Sequence, residues 1–278
     1  MPLETMLRMY LLQVWLGLSD EGVDDQILDS YAMRLFMRLD FGRGQQVPDA
    51  TTLPRFRHLL ERHKLGERMF TWLNARLEAE GLMMRGCSIG DAAIIAAPSS
   101  RKNAAGARDP EMRQTKKGSQ WYFGMKAHTG VDVGTGLVHS VDVTAASVHA
   151  LDEITGLVRD DDQVVYADAG YQGVGKRPEI AGDEHLSQVA WRVAARKGTL
   201  KKMHAHERAI ESRKASVRAK VEHPYLIVKW DFGFAKTRYR GLAKNLNRLR
   251  VAFASANLLM LACGQAIQTR LTAAVTAG

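Results

Sequence analysis

A short run of β-branched, aromatic and small residues, Val164–Ala167, is followed at once by a carboxylate, Asp168. Such a run is typical of a strand buried on both faces of a sheet. Gly170 and Gly173 then allow the chain to turn. Open α/β sheets carry their chemistry at the carboxyl ends of their strands, which makes Asp168 a candidate functional residue. An aspartate before a glycine is also a common turn residue, and this stretch alone leaves both interpretations open.

A second carboxylate, Asp91, stands inside another strand-like segment, residues 88–97, which Pro98 ends. A carboxylate among isoleucines and alanines is costly to bury without a partner. We therefore expect that a base or a metal ion satisfies Asp91, or that Asp91 lies at the open end of its strand.

The order of the predicted elements indicates one fold class. Apolar residues recur at helical spacing before residue 83, and strands are predicted over residues 88–97, 121–133, 137–144, 164–167 and 189–193. A loop is predicted over residues 99–119, and helices over residues 151–158, 206–222 and 244–268. This order predicts an RNase H-like α/β fold, a mixed five-stranded sheet flanked by helices, behind an all-helical N-terminal domain. The first and fourth strands are parallel neighbours in that topology, so Asp91 and Asp168 are expected side by side.

We predict a helical domain for DNA binding or assembly, a catalytic domain and a C-terminal tail, over residues 1–82, 83–262 and 263–278. In the first domain, a helix capped by Thr52 would present Arg55 and Arg57 to a DNA groove. An ordinary amphipathic helix with a solvated basic face explains the same pattern.

Positive charge is concentrated in one part of the chain. The net charge is +9, and residues 191–250 hold 17 Lys and Arg against 4 Asp and Glu. The other residues hold 22 basic and 26 acidic side chains. A basic block of this kind favours a polyanion such as DNA or RNA as partner, although a solvated basic face remains open.

The two cysteines, Cys87 and Cys263, fit neither a disulfide framework nor a zinc pattern, which favours a reducing, cytoplasmic compartment. The longest apolar run, residues 251–263, is interrupted by Asn257 and predicts a buried helix. We expect no membrane partner.

Adjacent carboxylates repel each other, and a divalent cation relieves that repulsion. Mg²⁺ prefers oxygen ligands, with Mn²⁺ expected to substitute, and a pair of ions serves phosphoryl transfer. Glu222 is the best candidate for a third acid, with Glu207 and Glu211 as rivals by position.

Two bases accompany Glu222. In one continuous helix, Arg218 and Lys229 would share a face with it, which would set an acid for metal between two cations for phosphate. Pro224 predicts a kink or break just after Glu222.

Several longer segments form a recognisable series, namely Asp91–Ser100, Asp109–His128, Asp168–Gly173, Val221–Tyr225, Phe232–Phe234 and Lys236–Gly241. In composition and order they resemble bacterial insertion-sequence DDE transposases of the insertion-sequence-5 family, in the insertion-sequence-4-like superfamily. The resemblance covers nearly the whole chain. The N-terminal segment starts late relative to that family, which implies a shortened DNA-binding head.

The resemblance implies that Asp91, Asp168 and Glu222 are the three catalytic acids and hold two metal ions in an RNase H-like domain. DNA cleavage at the element ends and strand transfer of the 3′-OH into target DNA would follow. Arg218 and Lys229 match basic positions of the family signature and are predicted to neutralise phosphates.

Three positions depart from the family pattern. The signature tyrosine is Ala215 here, and Gly90 and Ala93 stand where valine and threonine are expected.

The implied partners are double-stranded DNA, as terminal inverted repeats and target site, and a second copy of the chain in a homodimer or larger assembly. Lys116 and Lys117 are weaker candidates for DNA contacts. Tyr171 either contacts DNA or belongs to the core or to the support of the site. His128, His139 and His223 are expected to be structural.

Two other functions remain open. One is a truncated, non-catalytic DNA-binding protein that competes for element ends. The other is a metal-dependent nuclease without strand transfer.

Overall fold

The computed structural model describes residues 2–41, 46–102 and 106–276, with the backbone alone described from residue 265 onward. Helices fill the N-terminal region: α1 (Leu3–Trp15), α2 (Asp20–Asp29), α3 (Tyr31–Met37), α4 (Thr52–Arg62) and α5 (Leu65–Ala79). Serine caps begin two of them, since Ser19 and Ser30 accept hydrogen bonds from the first turns of α2 and α3.

A mixed sheet follows, built from β1 (Cys87–Ala96), β2 (Arg113–Lys117), β3 (Gln120–Asp132), β4 (Val138–Ala145), β5 (Val164–Ala167) and β6 (Ala190–Val193). Its order is β2-β3-β1-β5-β6, and β4 pairs with β3 beyond the stretch that β2 covers. The central strand β1 is antiparallel to β3 and parallel to β5, which is in turn parallel to β6. This mixed α/β architecture behind a helical N-terminal region confirms the predicted fold class.

Within the described residues the sheet has six strands, not the predicted five. The additional strand is β2, which lies inside the predicted loop 99–119 and pairs with the first residues of β3. Neither face of β2 is buried, so its sequence shows no alternation of apolar and polar residues. Its lysines are typical of an exposed sheet edge.

A 3₁₀ helix, Ala150–Leu157, stands where an α-helix was predicted between β4 and β5. It packs closely on β1 at Gly90, where a Cβ would meet Ile154 Cδ1 at 2.4 Å. The family's valine at this position would therefore require Ile154 to move.

The remaining helices are α6 (Pro178–Ala181), α7 (Lys197–Leu200), α8 (Ala205–Arg218), α9 (Glu222–Leu226) and α10 (Leu242–Thr276). The long α10 packs against α5 and β4, and it continues to Thr276, within the stretch predicted to be a C-terminal tail. Leu249 and Phe253 are fully buried in the main core, which the sheet and the N-terminal helices share. Among the described residues, no helix has both the length and the apolar character needed to cross a bilayer.

Arg57 joins the N-terminal helices to the rest of the protein, and its side chain is buried, whereas the prediction placed it on an exposed helix face. Its guanidinium is buried, forms an ion pair with Asp20 at 2.9 Å (Nη2 to Oδ2) and bonds Gln13 at 3.1 Å. It also lies over the Tyr239 ring, 4.9 Å from the centroid. Arg55, on the same helix, is exposed.

Candidate active site

The parallel pairing of β1 with β5 brings the two predicted aspartates to one place. Gly90 is paired with Ala167, and Asp91 and Asp168 each follow by one residue. Both side chains line a cavity of about 460 Å³, which Glu222, Arg218 and Lys229 also line. We refer to it as the carboxylate cavity.

Asp91 is half-buried in this cavity. Burial, reinforced by the negative charge of Asp168, raises the pKa of Asp91 to about 6. A cation between the two carboxylates would reverse the effect of that charge and favour the ionised form of Asp91.

Asp168 is held by the turn that follows it. Its Oδ1 accepts a hydrogen bond from the Gly170 amide at 2.8 Å, and its carbonyl accepts one from the Tyr171 amide at 3.0 Å. The 3₁₀ turn Ala169–Tyr171 thus uses one carboxylate oxygen as its cap. Asp168 therefore stabilises the turn and also lines the cavity, so the two interpretations that the sequence left open are compatible.

The third acid reaches the cavity from the helical path after α8. Glu222 is exposed there, while Arg218 and Lys229 are half-buried. Burial and the nearby positive charge of Lys117 lower the pKa of Lys229. Among the described residues, neither Arg218 nor Lys229 forms an ion pair with a carboxylate, and the Lys229 ammonium lies over the Tyr225 ring, 5.6 Å from its centroid.

This helical path changes hydrogen-bonding pattern twice. A 3₁₀ turn, Ala219–Val221, separates α8 from α9, and a π-helical turn, Ile227–Asp231, follows α9. The predicted break just after Glu222 is therefore misplaced: the first irregularity comes before Glu222, and Pro224 lies within α9. Pro224 is tolerated there because it is near the start of a new helical turn, where a missing amide costs little.

The donor set fits a divalent cation in kind, since it consists of carboxylate oxygens, which Mg²⁺ and Mn²⁺ prefer. The residues with described side chains include no group of three His, Cys, Asp or Glu close enough together to enclose a metal ion. Glu222 thus lines the same cavity as the two aspartates, but the three side chains are not close enough together to enclose a metal ion.

The rival acids have other partners. Glu207 accepts a hydrogen bond from the His204 amide at 2.7 Å and so caps α8. Glu211 accepts one from the Ala195 amide at 2.8 Å and pairs with Lys214. Neither lines the carboxylate cavity.

The weaker candidates for DNA contacts also differ in whether they line the carboxylate cavity. Lys117 lines the cavity from β2, whereas the ammonium of Lys116 lies over the Trp121 ring at 5.8 Å. Tyr171 is only 1% exposed, so its ring cannot stack on DNA and belongs to the core beneath the site. Its hydroxyl has no described hydrogen-bond partner.

Sequence reasoning missed further residues of the cavity wall, among them Tyr122, Leu226 and Trp230. The last two follow Glu222 at intervals of four residues, a helical spacing that could have identified them. Tyr122 gave no signal because it lies in the part of β3 that pairs with β2, a strand that was not predicted.

A larger groove of about 1000 Å³ lies between α1, α5 and α10. Its wall is mainly apolar and includes Trp15, Trp72 and Leu258. It lacks paired carboxylates, so we place the chemistry in the smaller carboxylate cavity.

Comparison with known protein families agrees with this geometry. The family model described as "Transposase DDE domain" matches residues 84–258, more than half of the chain. A second family model, "Transposase domain (DUF772)", matches residues 1–59. The two matches cover the sheet with its cavity and most of the N-terminal helices. The chain therefore belongs to the DDE-domain transposases.

Proposed function

We propose that this transposase cleaves DNA at the ends of an insertion sequence in a metal-dependent reaction and transfers the resulting 3′-OH into target DNA. The observation that carries the proposal is the convergence of Asp91, Asp168 and Glu222 on one cavity, together with Arg218 and Lys229. Three acids with two unpaired cations suit a phosphodiester and its metal ions.

Asp91, Asp168 and Glu222 would hold two Mg²⁺ ions, with Mn²⁺ as a substitute. When bound, such ions supply activation of an attacking oxygen and stabilisation of a leaving oxygen. The chain's own cations, Arg218 and Lys229, would neutralise the phosphate at the cut and hold it against the acids.

Double-stranded DNA would reach the cavity along a surface to which Arg55, Lys116 and Lys117 contribute exposed positive charge. We also propose terminal inverted repeats as the recognised sequence, a homodimer or larger assembly on DNA, and membership of the insertion-sequence-5 group. The segments Asp109–His128 and Asp168–Gly173 support that group.

A joining assay separates the transposase from the other candidate functions. A donor plasmid carrying the coding sequence with its native flanking DNA is incubated with a target plasmid and Mg²⁺, and junctions are sequenced. We expect 3′ ends of the donor joined to the target with wild type, and none with Glu222→Gln. Glu184→Gln, an exposed glutamate away from the cavity, serves as the matched control.

Cut donor without junctions would contradict strand transfer and assign a nuclease. Binding in a gel shift without cutting or joining would assign the non-catalytic DNA-binding protein.

A further inference from the structure

A small pocket of about 190 Å³ lies between the chain that follows β1 and the segment that precedes α10. Three arginines line it, Arg108, Arg238 and Arg240, and we call it the arginine pocket. Arg108 is half-buried, and the other two are exposed. Three arginines around so small a space favour an anion in it, provided that no carboxylate of the chain neutralises them.

The acids beside this pocket bond the start of α10. Asp109 Oδ2 accepts a hydrogen bond from the Gly241 amide at 2.7 Å. Glu111 Oε2 accepts one from the Leu242 amide, also at 2.7 Å. Carboxylates at the first amides of a helix are stabilised by the helix dipole. Both acids therefore stabilise α10, and among the described residues neither forms an ion pair with an arginine of the pocket.

Within the described part of the chain, backbone carbonyls hold the three arginines. Arg108 Nε donates to the Ser99 carbonyl at 2.8 Å, and Arg240 Nη2 donates to the Arg108 carbonyl at 3.3 Å. Arg238 Nη2 donates to the Gly17 carbonyl at 2.7 Å. A carbonyl orients a guanidinium group without cancelling its charge, and other N–H groups remain for a second acceptor. A phosphodiester oxygen is the acceptor that such groups favour.

A buried asparagine fixes the turn that carries Arg238 and Arg240. Asn245 is fully buried, and its Nδ2 donates to the Tyr239 carbonyl at 2.7 Å and to the Gly241 carbonyl at 2.6 Å. The backbone of the pocket is therefore organised before a ligand binds, which lowers the entropic cost of binding.

The strand β1 sets the distance between the arginine pocket and the carboxylate cavity. Asp91 lines the cavity, and Ala97, six residues further along the chain, lines the arginine pocket. An extended chain rises about 3.3 Å per residue, so these positions are about 20 Å apart. The Thr237 amide bonds the Ala96 carbonyl at 2.8 Å, which attaches the arginine-bearing segment to the same strand. About 20 Å is the length of about six base pairs of duplex, so one DNA molecule can reach both pockets.

We propose that the arginine pocket is a second phosphate-binding site, which holds the backbone of the same DNA that is cut in the carboxylate cavity. The ligand is a phosphodiester, recognised by its charge, so the site adds affinity and fixes position without sequence preference. This inference deepens the proposed function and rests on it for the place of the cut.

The salt dependence of binding tests the site without cleavage. Fluorescence anisotropy follows a labelled duplex of about 24 base pairs, long enough to span both pockets, in EDTA at several NaCl concentrations. Arg240→Gln should reduce the slope of the logarithm of affinity against the logarithm of salt concentration by about 0.9, the value for one lost phosphate contact. Arg240→Lys keeps the charge and should retain most of the slope.

Arg76→Gln is the matched control, because Arg76 is exposed on α5, pairs with Glu80 and lines neither pocket. The variant loses the same charge and should keep the wild-type slope. An unchanged slope in Arg240→Gln, or an equal loss in Arg76→Gln, would overturn the proposal.

Plasmid nicking in Mg²⁺ tests whether both pockets hold the same DNA. Arg240→Gln should raise the DNA concentration for half-maximal nicking at least about threefold and lower the maximal rate by less, as expected for a contact away from the cut. A reduced salt slope with an unchanged half-maximal concentration would assign the arginine pocket to a different DNA molecule and contradict the proposal.

Asp168→Ala separates failure of this inference from failure of the proposed function. In an Asp168→Ala background, which should not nick, Arg240→Gln should still reduce the salt slope by the same amount. If wild type nicks no DNA, the proposed function fails, and the salt slopes of wild type and Arg240→Gln still decide whether the arginine pocket binds phosphate.

Discussion

His128 shows how a single buried side chain makes stability depend on pH. It is fully buried on β3, and its Nε2 lies 2.8 Å from Thr144 Oγ1. Burial, reinforced by the positive charge of Lys126, lowers the pKa of His128 from 6.5 to about 4. The unfolded chain thus binds a proton near pH 6.5, whereas the folded chain resists protonation until about pH 4.

The stability contribution of neutral His128 is therefore fully present above pH 6.5 and is lost as the pH falls toward 4. We expect urea unfolding of wild type to show a decline over this range. In His128→Gln, which does not titrate, the decline should be smaller by up to about 3 kcal/mol. His58→Gln, at an exposed histidine, should follow the wild-type pH profile. Equal declines in wild type and His128→Gln would contradict this account.

At the residue scale, the sequence predicted the side chains whose chemistry is evident from type and spacing. Asp91 was predicted because a carboxylate among apolar residues needs a partner, and Asp168 because it follows a buried strand; both line one cavity. The burial of Arg57 was not predicted. Its hydrogen-bond partners, Gln13 and Asp20, are many residues away in sequence, so the sequence pattern does not distinguish Arg57 from a surface arginine.

At the scale of elements, Asn257 explains why the apolar run of α10 contains one amide. It is fully buried, accepts a hydrogen bond from the Val138 amide at 2.8 Å and donates one to the Val138 carbonyl at 2.8 Å. The residue therefore fastens α10 to the first residue of β4, where the pairing with β3 shifts register.

Asn257→Leu should leave both backbone groups of Val138 buried without partners. We expect the free energy of unfolding to fall by about 2–4 kcal/mol, measured by urea denaturation. Ser255→Ala, which removes only a bond from the Ser255 hydroxyl to the Val251 carbonyl of its own helix, should cost no more than about 1 kcal/mol. Faster hydrogen exchange of the Val138 amide in Asn257→Leu would locate the effect, and an unchanged free energy would refute it.

Elements with a buried face were predictable, and those without one were not. The strands β1, β3 and β5 carry apolar residues that pack into the core, and their positions agree with prediction within one or two residues. The edge strand β2 has charged residues on both faces, and only its backbone pairing with β3 makes it a strand. The 3₁₀ helix of residues 150–157 packs closely on Gly90, a contact between residues distant in sequence that the pattern of apolar residues does not show.

At the scale of the whole molecule, the N-terminal helices and the catalytic sheet share one core rather than forming separate cores. Arg57 adds polar contacts to that packing. It lies on α4 and contacts Asp20 on α2 and Tyr239 before α10. Its ion pair is partly shielded from water, since the side chain of Arg57 is 10% exposed and that of Asp20 is 32% exposed, which makes loss of one partner costly.

Arg57→Ala should lower the free energy of unfolding by about 2–4 kcal/mol, because Asp20 and Gln13 lose their shared partner. Arg55→Ala, on the same helix, should change stability by less than about 0.5 kcal/mol and instead weaken binding to DNA. Denaturant titration and gel-shift binding of both variants distinguish the roles. If Arg57→Ala were as stable as wild type and bound DNA less tightly, Arg57 would be the DNA contact.

Plasmid nicking tests the central claim, that the carboxylate cavity cuts DNA. Wild type, Asp168→Ala and Asp160→Ala are compared on supercoiled plasmid in Mg²⁺ and in Mn²⁺. Asp160 is an exposed aspartate before the amino end of β5, whereas Asp168 follows its carboxyl end, so the pair is matched in chemistry and differs in position. We expect metal-dependent nicking by wild type and Asp160→Ala, and none by Asp168→Ala. Nicking that survives in Asp168→Ala would place the chemistry elsewhere and contradict the account.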